Sequence, residues 1–177
     1  MMNVGGASAP RLLLPPHSRN LRLHRVKDRA DTFFVTKCVQ PRGEALTDEL
    51  RKVVCQAFRY GVIDNRIRLA AYVVMPDHRH ALFALHEGWT LPRFMHAFMS
   101  FVAAKTCTGL TARDRAWQDG YYETLIRTAK QFGYVGDYIE WNPVRKGLVS
   151  RPEEWDATSL RERDIITHPW PWDFESD

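Results

Sequence analysis

The sequence predicts an α+β domain: a ferredoxin-like βαββαβ antiparallel sheet, helices packed on it, and an additional C-terminal helix that carries Tyr138. Two observations predict this class. Strand-like and helix-like apolar patterns alternate along the chain in the order β-α-β-β-α-β-α, and the first six elements follow the split βαβ pattern. The chain has 177 residues, of which 45% are hydrophobic and 26% are charged, and this composition suits one globular domain.

The first strand and the first helix are separated by residues that interrupt regular structure. Residues 33–39 are rich in β-forming side chains and are predicted to form a strand, after which Pro41 and Gly43 break the chain. A helix is predicted next, because apolar residues recur at three- and four-residue spacing. These residues are Leu46, Leu50, Val53, Val54, Ala57 and Phe58. Gly61 is expected to end this helix.

Two consecutive strands follow and are expected to form a hairpin. Residues 67–75 are almost continuously apolar, which is typical of a buried strand. Pro76 and Asp77 make a turn, and residues 78–85 form the next strand. Because both faces of this second strand are apolar, it is predicted to be central in the sheet, with its histidines at one end.

A helix, a strand and a final helix complete the predicted domain. Apolar residues at helical spacing cover residues 90–106, and Gly109 is expected to end that helix. Residues 117–127 contain adjacent aromatic and β-forming side chains and predict the fourth strand. Residues 128–147 predict the final helix, with a bend or an end at the Asn-Pro pair of residues 142–143.

Charge is unevenly distributed and divides the chain into three parts. Residues 1–30, predicted to be a flexible basic arm, hold six Arg and Lys residues against one acid. The domain of residues 31–151 holds seventeen against twelve, and the acidic, Trp- and Pro-containing tail of residues 152–177 holds two against eight. Cationic surface attracts phosphate backbones, so the first two parts suit a nucleic-acid partner, although a basic arm is often only solvated.

Several classes of protein are disfavoured by the sequence. No apolar run approaches the length of a membrane span, and the three-leucine stretch before Pro15 is too short for a secretory signal, so a cytoplasmic protein is expected. The three cysteines are scattered and form no CxxC pair, which predicts small buried residues in a reducing compartment rather than a zinc site or disulfides.

The sequence Met-Pro-Asp-His-Arg-His, ending at His80, carries the first functional signal. Side chains of a strand alternate between its faces, so His78 and His80 point the same way and Arg79 points the opposite way. Two imidazoles side by side on rigid backbone form half of a metal site. A lone His-x-His is also common without a metal, so the interpretation needs support from elsewhere in the chain.

Tyr138 and Asn142 carry the second signal. They are four residues apart, so on a helix they lie on one face, one turn from each other. Such a pair can present a phenol oxygen beside an amide oxygen. Without further context, however, an aromatic core position followed by an asparagine near a helix end is the favoured interpretation.

Together these segments resemble the IS200-like, REP-associated branch of the single-tyrosine transposases, in the HUH (His-hydrophobe-His) nuclease superfamily. The resemblance covers roughly residues 31–160. It rests on Val-Val-Met-Pro-Asp-His-Arg-His, on Trp-Gln-Asp-Gly-Tyr-Tyr-Glu from Trp117 followed by Ile-Arg at 126–127, and on Tyr-Ile-x-x-Asn-Pro-Val-x-x-Gly-Leu-Val from Tyr138 with Trp155 beyond.

The resemblance implies a metal-dependent DNA strand-cutting and strand-joining enzyme. It makes His78, His80 and Asn142 ligands of Mg²⁺ or Mn²⁺, and it makes Tyr138 the nucleophile that forms a 5′-phosphotyrosine link with single-stranded DNA. The expected substrates are repeats that fold into hairpins, and the expected location is the bacterial nucleoid. Relatives act as monomers or as homodimers, and the sequence does not decide between the two.

One residue departs from the family pattern. Where the family has a hydrophobic residue between the histidines, this chain has Arg79. The side chain of Arg79 either extends into solvent, where it can reach a phosphate, or is buried in the core, where it is expected to distort the sheet. The general base is not singled out by the sequence, and the candidates are Asp137, Glu123 and Glu140.

Basic and aromatic side chains supply candidates for DNA contacts. The cationic candidates are Arg22, Arg25 and Lys27 in the arm and Lys105, Arg127, Lys130, Arg145 and Lys146 in the domain, all of which also serve solubility. The candidates for stacking on unpaired bases are Trp117, Tyr121, Tyr122 and Trp141, and at least half of them are expected in the core.

Two other functions compete with a transposase. A domesticated, non-catalytic protein that binds hairpin DNA is favoured by Arg79, but the complete set of histidines, tyrosine and asparagine argues against it. An unrelated His-x-His metallohydrolase is disfavoured, because such enzymes are built on (β/α)₈ barrels of about 250 residues. The acidic tail either packs beside the active site and competes with DNA or completes the core, and the second is preferred.

Overall fold

The computed structural model describes residues 31–40, 45–106 and 117–167, and its elements follow the predicted order. They are β1 (Thr32–Cys38), α1 (Asp48–Ile63), β2 (Ile67–Val74), β3 (His78–Leu85), α2 (Leu91–Thr106), β4 (Tyr122–Ile126), α3 (Ala129–Glu140) and α4 (Asn142–Arg145), followed by three short 3-10 helices. The predicted basic arm, Gly109, Cys107 and residues 168–177 lie outside the described residues. In the described part of the chain, no helix is both long and apolar enough to cross a membrane.

The four strands form one antiparallel sheet in the order β2-β3-β1-β4. This order is that of a ferredoxin-like sheet, and the prediction of an α+β fold is confirmed. β3 lies between β2 and β1, so its predicted central position is also confirmed. The register pairs His80 with Thr36 and His78 with Cys38 on β1, which brings the start of β3 beside the end of β1.

The two faces of the sheet carry separate apolar clusters, as the alternation along β3 predicted. Ala81 and Phe83 point toward α1 and α2, where a first cluster includes Phe58, Phe94 and Phe98. Leu82 and Ala84 belong to the second cluster with Val135 and Ile139 of α3. Because the histidines share the face of Leu82 and Ala84, α3 packs on the histidine side of the sheet.

Two predicted boundaries are wrong. Gly61 does not end α1, which continues to Ile63. A side-chain carbon at Gly61 would lie 3.1 Å from Phe94 on α2, so the glycine permits close approach of two helices instead of ending one. The fourth strand is also shorter than residues 117–127, because Trp117 forms only an isolated bridge with Val39 and regular pairing begins at Tyr122.

The helix predicted over residues 128–147 is divided into α3 and α4 at the predicted Asn-Pro position. Thr128 caps the N-terminus of α3 by accepting a hydrogen bond from the amide of Gln131 at 3.2 Å. Pro143 has no amide hydrogen to donate to the carbonyl of Ile139, which interrupts the helical hydrogen bonds; the first helix stops at Glu140 and a short second helix begins at Asn142.

Residues 152–167 pack along the outer edge of β2. The backbone amide of Val74 donates to the carbonyl of Ala157 at 2.8 Å, and the indole of Trp155 donates to the carbonyl of Val74 at 3.0 Å. Ala157 and Ile165 are buried in the first cluster. These contacts cover strand edge that would otherwise expose unpaired amides, and they support core completion for this part of the acidic tail.

Arg79 lies in the core, on the face opposite the histidines, and is fully buried. Its guanidinium carbon is 4.1 Å from the ring centroid of Phe98 and 5.3 Å from that of Phe58. Nε and Nη1 have no hydrogen-bond partner among the described residues. The expectation that Arg79 reaches solvent or a phosphate is therefore wrong.

The expected distortion of the sheet is also absent around Arg79. Arg79 pairs in regular register with Lys37 on β1 and Val74 on β2. The irregularity in the pairing of β2 with β3 lies between Leu69 and Ala71, at the far end of the strands. Aromatic faces compensate part of the buried charge, so the strand accommodates arginine without losing its pairing.

Replacement of Arg79 with methionine is expected to raise the free energy of unfolding by roughly 2 kcal/mol. The reason is that the desolvation penalty of an unpaired buried charge exceeds the stabilisation from its aromatic contacts. Burial lowers the pKa of Arg79, which reflects the same cost. Methionine has similar length and fills irregular space. Urea denaturation of wild type, Arg79→Met and Arg79→Lys measures the effect. A less stable Arg79→Met variant would show that the cation contributes net stability.

Candidate metal and tyrosine site

The candidate site lies on one face of the sheet, at the start of β3. The rings of His78 and His80 project from the same face with centroids 4.5 Å apart, as predicted. Arg79 projects from the other face into the first apolar cluster. Because side chains alternate between the two faces of a strand, the spacing of two residues is sufficient to place the two imidazoles side by side.

His80 is held by a hydrogen bond that leaves one ring nitrogen without a partner. Its Nδ1 lies 2.8 Å from Oγ1 of Thr36, the residue paired with it on β1. Its Nε2 is buried and has no partner among the described residues. With Nδ1–H donating to Thr36, the lone pair of Nε2 is available to a metal ion.

Burial is the main reason that the pKa of His80 lies well below its usual value, and the charges of His78, Arg79 and Lys146 lower it further. His80 is therefore a neutral imidazole at neutral pH, which is the form that binds metal ions. A neutral, buried ring with a free nitrogen suits a ligand better than a proton carrier.

His78 is oriented in the same way by the residue before it. Its Nδ1 lies 2.6 Å from Oδ1 of Asp77, which leaves Nε2 as the second available nitrogen. Burial raises the pKa of Asp77, but the hydrogen bond and charge of His78 outweigh that effect, and the net pKa is lowered. Asp77 is thus an anion that can orient the imidazole.

Sequence reasoning missed Thr36 and Asp77 as supporting residues. Asp77 adjoins the histidine pair and was interpreted only as part of a turn. Thr36 is 44 residues from His80, and only the strand register brings the two together. A search for a carboxylate or hydroxyl next to each histidine would have found the first but not the second.

Tyr138 lies on α3 and packs directly against His80. Its ring centroid is 5.2 Å from that of His80 and 6.1 Å from that of Phe34. The guanidinium carbon of Arg145 is 5.4 Å from the Tyr138 ring centroid. The structure therefore brings Tyr138, His80 and a cation together from three different elements.

Asn142 is the first residue of α4 and is 3% exposed. The sequence predicted one helix for Tyr138 and Asn142. The structure divides it into α3, which ends at Glu140, and α4, although the helical path continues through Trp141. The Oδ1 of Asn142 is buried without a partner among the described residues, as is Nε2 of His80. Unpartnered buried acceptors are costly, and each of these two atoms is of a type that can bind a cation.

The donor set fits a divalent metal ion. In the described part of the chain, no group of three His, Cys, Asp or Glu side chains is suited to hold a metal. Here His78 and His80 supply two ring nitrogens, and the third donor would be the amide oxygen of Asn142, a residue type outside those four. Such a set leaves positions open for phosphate oxygens and water.

Two of the predicted cations lie at the site. Arg145 contacts the Tyr138 ring, and the charge of Lys146 acts on both His80 and Asp77. Both cations are exposed and follow Asn142 within one helical turn. They can therefore hold a phosphate close to the tyrosine.

The other predicted cations are not gathered at the tyrosine. Lys130 is exposed in the first turn of α3, about two turns before Tyr138, and Arg127 is exposed between β4 and α3. Lys105 lies on α2, which packs on the opposite face of the sheet. Arg22, Arg25 and Lys27 lie outside the described residues.

The fold also determines on which face of the sheet, and how deeply, the candidates for a general base and for base stacking lie. Glu123 pairs with Val35, which points toward α1 and α2, so Glu123 lies on the face opposite the histidines. Trp117 and Tyr121 pack against the first cluster, whereas Tyr122 and Trp141 are 42% and 47% exposed. Two of the four aromatics therefore pack against the core while remaining partly exposed, and the other two lie at the surface.

Comparison with known proteins identifies relatives of the whole domain. The sequence model of the family described as "Transposase IS200 like" matches residues 32–142, which contain both histidines, Tyr138 and Asn142. A REP-associated tyrosine transposase of Escherichia coli (strain K12) is 28% identical over 151 residues, which cover 82% of this chain and 84% of the relative.

A solved structure has the same fold. It is a REP-associated tyrosine transposase bound to a REP hairpin, and it superimposes with a TM-score of 0.65. The match covers 84% of this chain and 87% of the other, at 24% sequence identity. The similarity therefore extends over the described domain and is not limited to the histidine motif.

Proposed function

The chain belongs to the IS200-like transposase family, and from this we propose that it cuts and rejoins single-stranded DNA at hairpin-forming repeats through a 5′-phosphotyrosine intermediate. The family is generally dependent on divalent metal ions. For this chain we propose Mg²⁺ or Mn²⁺, because mixed nitrogen and amide-oxygen ligands with open positions suit such ions in phosphoryl transfer.

A single observation supports the proposal most strongly. Tyr138 packs on the ring of His80. Nε2 of His80 and Oδ1 of Asn142, the residue four positions after Tyr138, are both buried without partners among the described residues. A purely structural role would leave two costly unpaired atoms unexplained. A metal-assisted reaction of the tyrosine accounts for all three residues.

The residues around the tyrosine have separable roles in the reaction. His78, His80 and Asn142 would hold the ion, which when bound polarises a non-bridging oxygen of the scissile phosphate. Thr36 and Asp77 orient the two imidazoles through Nδ1.

The covalent step is a transesterification. The Oη of Tyr138 forms a bond to phosphorus as its proton leaves, and the bond from phosphorus to the 3′ oxygen breaks, so that a protonated 3′-hydroxyl is released. Attack of another 3′-hydroxyl on the phosphotyrosine reverses the step and joins strands. No external energy source is needed because one phosphodiester replaces another. Arg145 supplies positive charge beside the ring where the phenolate develops.

Hairpin DNA is the proposed substrate, because the solved relative is bound to a REP hairpin. Arg145 and Lys146 would contact the scissile phosphate, and Arg127 and Lys130 the flanking backbone. The basic residues Arg22, Arg25 and Lys27, together with Lys105, are proposed as outer contacts to the stem. Such a protein would work at the bacterial nucleoid, as a monomer or as a homodimer.

The alternative of a non-catalytic hairpin-binding protein depended on Arg79. Arg79 is buried on the face opposite the histidines, and the strand pairing around it is regular. The departure from the family pattern therefore does not disturb the pairing of the strand that carries His78 and His80, and it does not favour loss of catalysis.

The proposal is tested by covalent capture. Wild-type protein is incubated with single-stranded DNA that contains hairpins from the host's repeats, with Mg²⁺, with Mn²⁺ or with a chelator, and is then run on a denaturing gel. We expect a metal-dependent protein–DNA adduct that retains a label at the 3′ end of the strand and loses a label at the 5′ end. Hairpin binding with no adduct under any condition would instead indicate the non-catalytic alternative.

A further inference from the structure

We propose that Trp141, with Tyr134 on the preceding turns of helix, forms a stacking surface for unpaired bases next to the scissile phosphate. The inference rests on the proposed function, since it assumes that a DNA strand approaches Tyr138. The stacking surface is a binding surface that the reaction itself does not require. Its proposed ligand is the run of unpaired nucleotides that flanks the hairpin.

The exposed side of α3 and α4 carries a continuous row of aromatic and basic residues. Tyr134, Tyr138, Trp141 and Arg145 follow one another at spacings of four, three and four, so they line one side of the helical path. The path stays helical across the break, because the amide of Trp141 donates to Asp137 at 2.9 Å and that of Arg145 donates to Trp141 at 3.0 Å.

A buried row runs beside the exposed one. Val135, Ile139 and Asn142 are all buried, and the first two pack on the histidine face of the sheet. Tyr138 is only partly buried, so it lies at the border between the two rows. A phosphate at Tyr138 therefore has the histidine site on one side and the exposed aromatic row on the other.

Trp141 and Tyr134 are unusually exposed for their size, at 47% and 44%. The seven-residue separation between them corresponds to about 10 Å along the helix, or about three stacked bases. Tyrosine and tryptophan rings stack on any base because every base has a π-face.

The surrounding charge favours a nucleic acid as the occupant of this row. Arg145 and Lys146 lie four and five residues after Trp141, at the C-terminal end of α4, and both are exposed. An apolar protein partner would have to bury these two cations, whereas a DNA strand neutralises them with phosphates while its bases cover the rings. The row is also continuous with the tyrosine that the DNA must reach.

The test measures binding without cleavage, by fluorescence anisotropy in a chelator. The probes are a DNA hairpin with a short single-stranded flank of deoxyadenosines and the same hairpin whose flank has abasic sites, which keep the phosphates and remove the bases. We expect wild type to bind the intact flank about tenfold more tightly than the abasic flank. Trp141→Ala should lose most of that ratio, and Trp141→Phe should retain most of it.

Tyr60→Ala provides a matched control. Tyr60 is 42% exposed, a value close to that of Trp141, but it lies on α1 at the opposite face of the sheet. This variant should keep the full wild-type ratio. If Trp141→Ala folds poorly, the affinity ratio between the intact and the abasic flank, measured with wild type and with Trp141→Phe, still tests whether bases stack on this surface.

The outcomes separate this inference from the proposed function. A wild-type protein that does not distinguish the two flanks, or a Trp141→Ala variant with an unchanged ratio, overturns the stacking surface even if the covalent adduct forms. A Trp141-dependent ratio in a protein that never forms an adduct supports the surface and rejects the reaction. Absence of any hairpin binding by wild type rejects both.

Discussion

Replacement of Tyr138 with phenylalanine is expected to reduce covalent adduct formation by about 10³-fold or more, which places it below detection on a gel. Phenylalanine keeps the ring that packs on His80 and Phe34 but lacks the oxygen that attacks the phosphate. Hairpin affinity is expected to stay within about twofold of wild type, because the stacking and phosphate contacts are unchanged. Single-turnover kinetics on the hairpin substrate, together with binding in a chelator, measure both quantities.

Tyr134→Phe is the matched control for this change. Tyr134 lies one turn earlier on α3 and is 44% exposed, so it is an accessible phenol close to the same DNA. It should form the adduct at nearly the wild-type rate. A Tyr138→Phe variant that still forms the adduct would assign the nucleophile to another residue.

Replacement of His80 with alanine is the second change with a large expected effect. Metal-supported strand cleavage should fall by about 10²-fold or more, because the variant loses the buried Nε2 that is proposed as a metal ligand. Affinity for Mn²⁺ should fall with it. Titration calorimetry or electron paramagnetic resonance with Mn²⁺ measures the affinity separately from catalysis.

Two further variants make the metal test specific. His86 follows β3 at the end opposite the histidine pair, and His86→Ala should bind Mn²⁺ like wild type. Thr36→Val removes the hydroxyl that orients His80 and should weaken metal binding by about tenfold, which is less than loss of the ligand itself. Unchanged Mn²⁺ affinity in His80→Ala would remove His80 from the site.

Periodicity was sufficient to predict the architecture and the face on which the site lies. The alternation in β3 separated His78 and His80 from Arg79, and the helical spacing of apolar residues located α1 and α2. These patterns are local, because each reflects which side of one element is buried. The order of elements then restricted the sheet to a familiar topology.

Features that depend on contacts between distant segments were not predictable. The role of Gly61 depends on Phe94 of another helix, and the role of Thr36 depends on strand register. The burial of Arg79 depends on aromatic rings contributed by α1 and α2. Residues 152–167 run along β2 in short 3-10 helices, which have no apolar period for a sequence to show.

The identity of the residue bonded to DNA tests the central claim most directly. The adduct from wild-type protein, formed with and without divalent metal, is digested with protease and nuclease and mapped by tandem mass spectrometry. The proposed mechanism predicts a nucleotide remnant on Tyr138 alone, and only when metal is present. A remnant on Tyr134 or Tyr122, or cleaved DNA with no covalent remnant on the protein, would contradict it.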